Sequence, residues 1–414
     1  MHRPHIVITG LGVVSPNAIG ATAYELACRE GVSGIKAIEE FDTSTIKSRV
    51  AGIVRGFDPS TVMDPIDIRR VPRLIPFAVG AAKEAMKQAH LRIDESDVRL
   101  ARRVGVALGT GGGGLEFVEE QYRRIYQGGK RSPFAITAGT HGNLSSEISI
   151  QLKLRGPSHV ISTGCASATD AIGHAMMTLR SGMADVMIAG GADATIAPGI
   201  LGGFEMLGVI STKPFEDPTK ASRPFNRDRD GFILGEGAWM FVVETLDHAK
   251  QRGATVLAEL IGYASTCDAY HRVQIAPDLE ECVRAMHEAL ADANVTPEQI
   301  DYVNLHGTGT DLNDRLETAA LKRAFGPAAK RIPMSATKSL IGHPQGAGGA
   351  AGLAATILAM HSGFLHPTIN LTDPDPECDL DYVPNTARKH TVHHALCNCI
   401  AFGSKNSVLV VRKG

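Results

Sequence analysis

Four short stretches carry residues whose types and spacing could do chemistry. The first is 159–170, His-Val-Ile-Ser-Thr-Gly-Cys-Ala-Ser-Ala-Thr-Asp. A strand pattern runs into Gly164, and helical spacing begins at or just after Cys165. A thiol there sits where unpaired N–H groups and the helix dipole favour negative charge, which lowers a cysteine pKa and makes a thiolate available. The turn holds the sulfur up like the nucleophile elbow of hydrolases. By position alone Cys165 fits a nucleophile or a buried structural cysteine equally well. The second stretch, 301–310, ends a buried strand at His306 and continues as Gly-Thr308-Gly-Thr310. Open α/β sheets place ligands at such loops, a histidine moves protons near neutral pH, and the hydroxyls could hold an amide-bearing substrate arm. The third, 335–349, sets Lys338 and His343 ahead of a run of small residues. A neutral histidine there could donate to a developing anion; the plainer reading is a solvated lysine and a capping histidine. The fourth, 399–406, places Phe402 among small residues before a final strand, either as a movable gate or as a packed turn.

Two further patterns invite other readings. Thr9-Gly10-Leu11-Gly12 and the glycine loop 109–114 look like phosphate cradles. Neither completes GxGxxG ahead of a helix with a following acid, nor a Walker lysine, so nucleotide binding is not expected. His393, His394, Cys397 and Cys399 crowd four ligand types into seven residues. Strand alternation would send neighbours to opposite faces, so no metal site is expected.

These residues need a frame. β-branched runs at 104–108, 159–162, 186–189, 240–243, 302–305 and 407–411 read as strands. Alanine-rich stretches at 75–89, 166–181, 280–294 and 346–361 read as helices. The alternation predicts α/β layers with largely buried sheets. A composition change at 249–255 divides the chain into halves 1–252 and 253–414, the first carrying Cys165 and the second both histidines and Lys338. With 414 residues, 43 % of them hydrophobic, the chain can bury a large core. A formal charge of −2 argues against a nucleic-acid-binding face. Seven cysteines without a CxxC pair point to no disulfide framework and to a cytoplasmic protein. No apolar run reaches the ~18 residues of a membrane span, and residues 1–10 already read as a strand rather than a signal peptide.

Together, Cys165, His306, Lys338 and His343 stand in an order and context that resembles the β-ketoacyl-[acyl-carrier-protein] synthase family of the II type. The resemblance runs from Val7-Ile-Thr-Gly-Leu-Gly through 189–193, 222–228 and 230–238 to Asn406. Type II polyketide ketosynthases share these motifs. It implies a thiolase-like α/β fold of two similar halves, each with a mixed five-stranded sheet, in α-β-α-β-α layers, and a homodimer. It implies that acyl carrier protein delivers an acyl chain on its phosphopantetheine arm to Cys165. Malonyl-carrier protein then loses carbon dioxide and its carbanion attacks the acyl-cysteine, with no redox cofactor. His306 and His343 would donate to the thioester oxygen, with Lys338 tuning them. The N–H groups of Cys165 and Phe402 would form the oxyanion hole, Thr308 and Thr310 would contact pantetheine, and Glu317 would be a structural acid.

The resemblance also implies roles for more variable positions. Gly112, where many relatives carry a branched residue, and Phe204 would line the acyl pocket, and Gly112 would deepen it. Arg69, Arg70 and Arg73 would dock the acidic carrier protein, although 70–73 departs from the family's usual Arg-Met-Asp-Arg. The gate Phe402-Gly403-Ser404-Lys405-Asn406 departs from the usual two glycines and Thr or His, and Asp311 stands where proline is common. Three alternatives remain: a chain-length-factor-like partner, which would lack the nucleophile; a thiolase, which would need a second reactive cysteine near the C-terminus; and a cysteine hydrolase, which would leave Lys338 and the second histidine unexplained.

Overall fold

The computed structural model describes residues 3–94, 96–402 and 405–414. Ten strands build the frame. In chain order they are β1 (Ile6–Ser15), β2 (Val104–Gly109), β3 (Ser158–Ile161), β4 (Val186–Asp193) and β5 (Gly237–Thr245). They continue as β6 (Ala258–Cys267), β7 (Tyr302–Asn304), β8 (Met334–Ser335), β9 (His394–Ala401) and β10 (Lys405–Lys413). The first five lie in the order β3-β2-β4-β5-β1 and the second five in the order β8-β7-β9-β10-β6. In each set the three strands at the outer end run parallel and the two at the inner end antiparallel. The expected two similar five-stranded halves are therefore present. They are also joined: β1 pairs with β6 at Val7–Glu259 and Ile8–Ala258, so one hydrogen-bonded path crosses both halves.

Five helices account for the layers: α1 (Leu74–Gln88), α2 (Ser167–Arg180), α3 (Glu280–Ala293), α4 (Asp311–Phe325) and α5 (Gly348–Ser362). Between the halves, α2 and α5 pack against each other and against strands of both sets, in one core that includes Trp239, Tyr302 and Leu409. A second core lies under α1 and the helix His141–Leu152, and a third under α3 and α4. The middle helices can be buried on all sides because they are made of small residues; α5 reads Gly-Gly-Ala-Ala-Gly-Leu-Ala-Ala. The predicted strands and helices all appear; β2, β4, β5 and β10 are longer than expected, and the helices match to within two residues at each end. Strands β6, β8 and β9 and helix α4 are additions. The alternation of β6 is muted by small residues, and α4 opens with a polar first turn.

The first supposed phosphate cradle has a packing role. A Cβ on Gly10 would stand 2.1 Å from the Ala85 carbonyl oxygen, and one on Gly12 would stand 1.9 Å from that of Ala81. These glycines let α1 lie directly on β1, which leaves no room for a ligand. Gly12→Ala should therefore cost about 1–3 kcal/mol from overpacking, read as a lower melting temperature than that of Gly142→Ala, where a Cβ meets nothing within 4 Å and the backbone is helical.

Candidate active site

The loops at the inner ends of the strands bring Cys165, His306, Lys338 and His343 together. Gly164 holds φ at +63°, the left-handed conformation that lets the chain turn sharply from β3 toward α2. Ser167 fixes this elbow by accepting from the Thr163 N–H at 2.9 Å and donating to the Gly164 carbonyl at 2.6 Å. Cys165 is buried, and its Sγ lies 3.1 Å from His343 Nε2. The backbone N–H groups of Phe402 and of Cys165 itself face the sulfur.

The elbow is as expected, but the thiol's ionisation is not. Burial pushes the Cys165 thiol up to about 11, while the Lys338 charge and the two N–H groups pull only part of the way back. Desolvation outweighs the helix terminus, so the resting sulfur is protonated. Its nearest proton acceptor is His343, whose imidazole is held neutral by burial and by the Lys338 charge.

His306 continues from β7. Glu317 on α4 anchors its loop by accepting from the His306 N–H (2.8 Å), the Gly307 N–H (2.8 Å) and Asn398 Nδ2 (2.6 Å). Glu317 itself is buried, and these three contacts tie α4 to the histidine loop and to β9. Lys338, the first residue of the short helix Lys338–Ile341, donates from Nζ to the His306 carbonyl oxygen at 2.5 Å and stands 3.3 Å from His306 Nδ1. An ammonium can only donate, so Nδ1 is the acceptor and the neutral ring carries its proton on Nε2. Burial, Lys338 and His343 all hold His306 well below the ordinary histidine range. The two imidazoles meet edge to face at 5.5 Å, and Phe232 packs on His343 at 5.1 Å.

Two residues to which sequence reading assigned no role complete the site. Asp193, at the end of β4, accepts from the N–H groups of Gly111 (2.8 Å), Gly112 (3.0 Å) and Gly346 (2.7 Å) and from Thr110 Oγ1 (2.7 Å). The 109–114 loop is indeed an anion cradle, and the anion is the chain's own. The only sequence signal was an acid closing a buried Gly-Gly-Ala run. Cys399 donates to the Cys165 carbonyl at 3.1 Å and lies 3.4 Å from His306 Nδ1. Its neighbour in the supposed metal cluster, Cys397, instead contacts Thr356 Oγ1 at 3.5 Å, so the four residues at 393–399 do not converge. The ligand atoms of Cys165, His306 and His343 all lie within 4.8 Å of one another. A soft cation would suit that set chemically, but the Lys338 charge opposes it.

A cavity of about 330 Å³ opens onto these groups and is lined by Cys165, His306, His343, Thr308, Thr310 and Phe402 among others. Thr308 and Thr310 share a hydroxyl contact of 3.0 Å on its wall. Phe204 does not line it; its ring packs on Phe232 at 5.3 Å, one ring removed from His343. Gly112 does not deepen a pocket either, because Thr195 Cγ2 occupies the space a Cβ would take, 2.1 Å away. The docking patch is also changed. Arg73 turns inward to Glu236, with contacts of 2.8 and 3.0 Å, and to the Val54 carbonyl. Arg70 pairs with Asp67 at 3.2 Å, and Arg69 is exposed. Gly403 and Ser404 of the expected gate lie outside the described residues. Lys405 is half-buried, and Asn406 is buried with its amide on Asp268 at 2.6 Å.

Residues 3–249 match the model of the beta-ketoacyl synthase N-terminal domain, and residues 257–372 match that of the C-terminal domain. The chain is 41 % identical to a 3-oxoacyl-[acyl-carrier-protein] synthase 2 of Coxiella burnetii and 40 % identical to one of Synechocystis, covering 100 % of this chain and 99 % of each relative. Among solved structures it resembles a type II polyketide acyl-carrier protein in complex with its ketosynthase bound to the hexaketide, with TM-score 0.91, 34 % identity and both chains covered completely. It also resembles the ishigamide ketosynthase/chain length factor, with TM-score 0.90, 33 % identity and the same full coverage.

The raised thiol pKa predicts that alkylation of Cys165 by a small uncharged reagent climbs with pH through the neutral range toward a plateau near 11. Mass spectrometry of the labelled peptide reads this directly. A plateau reached below pH 7 would mean that a thiolate is already present.

Proposed function

This chain belongs to the beta-ketoacyl synthase family, whose members are acyltransferases, and from that premise we propose how its residues divide the condensation used in fatty acid synthesis. The observation that carries the reading is the convergence of one thiol, two neutral imidazoles and one buried ammonium at the end of a cavity. In the first stage an acyl thioester on the phosphopantetheine arm of acyl carrier protein enters past Thr308 and Thr310. Cys165 Sγ attacks the thioester carbon while its proton passes to His343 Nε2, 3.1 Å away. The Phe402 and Cys165 N–H groups hold the tetrahedral oxyanion. The pantetheine sulfur leaves with the proton from His343, and the chain remains as an acyl-cysteine.

In the second stage malonyl-carrier protein occupies the same cavity. Its carboxylate leaves as carbon dioxide, and negative charge develops on the thioester oxygen. His306 donates to that oxygen from Nε2, in the tautomer that Lys338 fixes at Nδ1, and His343 supplies the second hydrogen bond once its own proton has moved from Nδ1 to Nε2. The carbanion then attacks the acyl carbon, the bond from that carbon to Cys165 Sγ breaks, and the sulfur leaves as a thiolate that takes a proton from solvent, while the β-ketoacyl chain, two carbons longer, departs on the carrier protein. The chemistry uses no redox step. We assign the two halves to residues 1–252 and 253–414, a division supported by family matches that leave only 250–256 between them. Arg69 and Arg70 remain candidate docking charges for the carrier protein. A cytoplasmic location fits seven cysteines without a CxxC pair, and no helix among the described residues is long and apolar enough to cross a membrane.

We also propose that the working unit is a homodimer. Strand β3 stands at the edge of the sheet, and an open strand edge invites pairing. The segment leading to it leaves Tyr126, Ile136 and Ile150 exposed at 85 %, 79 % and 57 %. Exposed apolar side chains on the approach to an open edge suit a face that a second copy covers. Light scattering should give twice the 43.9 kDa chain mass, and Ile136→Asp should shift it toward the monomer.

Intact-mass analysis after incubation with acyl-carrier proteins of graded chain length tests the reading. Wild type should gain one acyl group and Cys165→Ala none, and malonyl-carrier protein should chase the adduct to the longer β-keto product. Absence of any adduct would favour the non-catalytic partner reading. His306→Ala should still load the acyl group while decarboxylation falls about 10²–10³-fold, as expected when one preorganised donor is lost. Equal loss of both stages would remove His306 from the oxygen-binding role.

A further inference from the structure

The strand ladder that leads to His306 and Lys338 ends before it reaches either of them. Strands β7 and β8 pair only at Val303–Met334 and Asn304–Ser335, and one more backbone bond runs from the Leu305 N–H to the Ser335 carbonyl at 2.9 Å. Beyond that point a buried cluster of side chains takes over. Asn304 Nδ2 donates to Thr337 Oγ1 at 2.8 Å, and Thr337 Oγ1 lies 3.1 Å from His366 Nε2. The Tyr302 hydroxyl lies 3.2 Å from the same nitrogen. All four residues are buried, and α5 closes directly over Asn304: a Cβ on Gly352 would stand 2.3 Å from its Oδ1.

The ring of His366 has a fixed sense. Its Nδ1 lies 3.2 Å from the Pro367 carbonyl oxygen, which can only accept, so Nδ1 carries the proton. Nε2 is then an acceptor. The hydrogen bonds run one way, from the Asn304 amide to the Thr337 hydroxyl and from that hydroxyl to Nε2. Burial keeps the ring neutral by pushing its pKa down to about 4, so the acceptor persists at neutral pH. The backbone around His366 grips the same turn. Ser335 Oγ donates to the His366 carbonyl at 2.6 Å, the Ala336 N–H donates to Thr368 Oγ1 at 3.0 Å, and the Ile369 N–H donates to Ser339 Oγ at 3.1 Å. Segment 366–369 therefore lies along the turn that presents Lys338, and the His366 ring joins that turn to the residue two before His306.

Resting on the condensing-enzyme reading above, we propose that His366 is a positioning residue for decarboxylation: by accepting from Thr337 it holds Lys338 Nζ against His306 Nδ1 and so keeps the His306 proton on Nε2. The contact it protects is a long one, 3.3 Å, made from the end of a flexible four-carbon stem. A small shift of the 337–338 turn would break that contact while the ammonium keeps its bond to the His306 carbonyl. The tautomer would then no longer be fixed, and the N–H that meets the thioester oxygen would be present only part of the time. His343 is anchored separately, by its N–H on the Ile233 carbonyl at 2.7 Å. The Cys165–His343 pair that performs acyl loading therefore does not depend on the cluster.

The two stages are read separately: acyl loading of Cys165 by intact mass, and release of carbon dioxide from malonyl-carrier protein without an acyl primer. His366→Leu should lower decarboxylation about tenfold or more while loading stays within about twofold of wild type, since a misplaced group costs the step that uses it. His366→Gln, whose amide oxygen can accept in place of Nε2, should recover most of the loss. Equal loss of both stages, no loss, or a His366→Gln protein no more active than His366→Leu would overturn the proposal. If His366→Leu does not fold, Thr337→Val breaks the same link from the other side and must show the same split. Nitrogen NMR of isotope-labelled histidines gives an arm that needs no substrate. His306 should carry its proton on Nε2 in wild type and share it with Nδ1 in the folded variant. An unchanged tautomer would overturn the proposal. Failure of wild type itself to load or decarboxylate would count against the condensing reading, and the tautomer comparison would still decide the role of His366.

Discussion

The arrangement depends first on one buried carboxylate. Asp193 lies in the interior without a cation in contact, and burial alone would drive it to the neutral acid. Three backbone N–H groups and one hydroxyl oppose that drive in part, and they come from segments far apart in sequence. Gly111 and Gly112 belong to the loop that adjoins the nucleophile's turn. Gly346 belongs to the turn three residues after His343. The need to satisfy a single carboxylate therefore ties the sulfur-bearing side of the site to the imidazole-bearing side. It also explains why glycines stand at those points, since a Cβ on Gly346 would lie 2.2 Å from the Gly111 nitrogen.

Glu317 performs the matching task in the second half. It gathers the His306 and Gly307 N–H groups and the Asn398 amide, so the histidine loop is held by α4 and by β9 at once. Lys338 then closes the arrangement by donating to the His306 carbonyl and lying beside its ring. A further buried acid, Asp314, accepts from the Phe225 and Gly309 N–H groups and faces Arg229. Thus the thiol and the two imidazoles are neutral, while the Lys338 ammonium and buried acids one layer out set their positions.

The reactive residues were legible in the sequence because each announces itself locally. Gly164 before Cys165, the Gly-Thr repeat after His306 and the small-residue run after His343 are all marks within a few positions. What was misread depended on residues far away in the chain. The helix terminus suggested an acidic thiol, but the burial that reverses it comes from the whole fold. Gly112 suggested open space, but Thr195 fills it from 83 positions further along. Arg73 suggested a docking charge, but Glu236, 163 residues on, captures it. The glycine loop was correctly seen as able to cradle an anion. Only its occupant, a side chain of the same molecule, could not be read from spacing.

The position of strand β10 has a consequence for how the protein comes into being. Although it is the last strand in chain order, it lies inside the sheet, paired with β9 on one side and β6 on the other. During synthesis the second half cannot close its sheet until residues 405–413 have emerged. Phe402, which offers its N–H to the reactive sulfur, immediately precedes that strand, so the catalytic centre is among the last features to assemble. A nascent chain that has completed only its first half exposes the apolar face of α2 that α5 later covers. It carries Cys165 in that state without either histidine or the lysine, and so cannot catalyse anything prematurely.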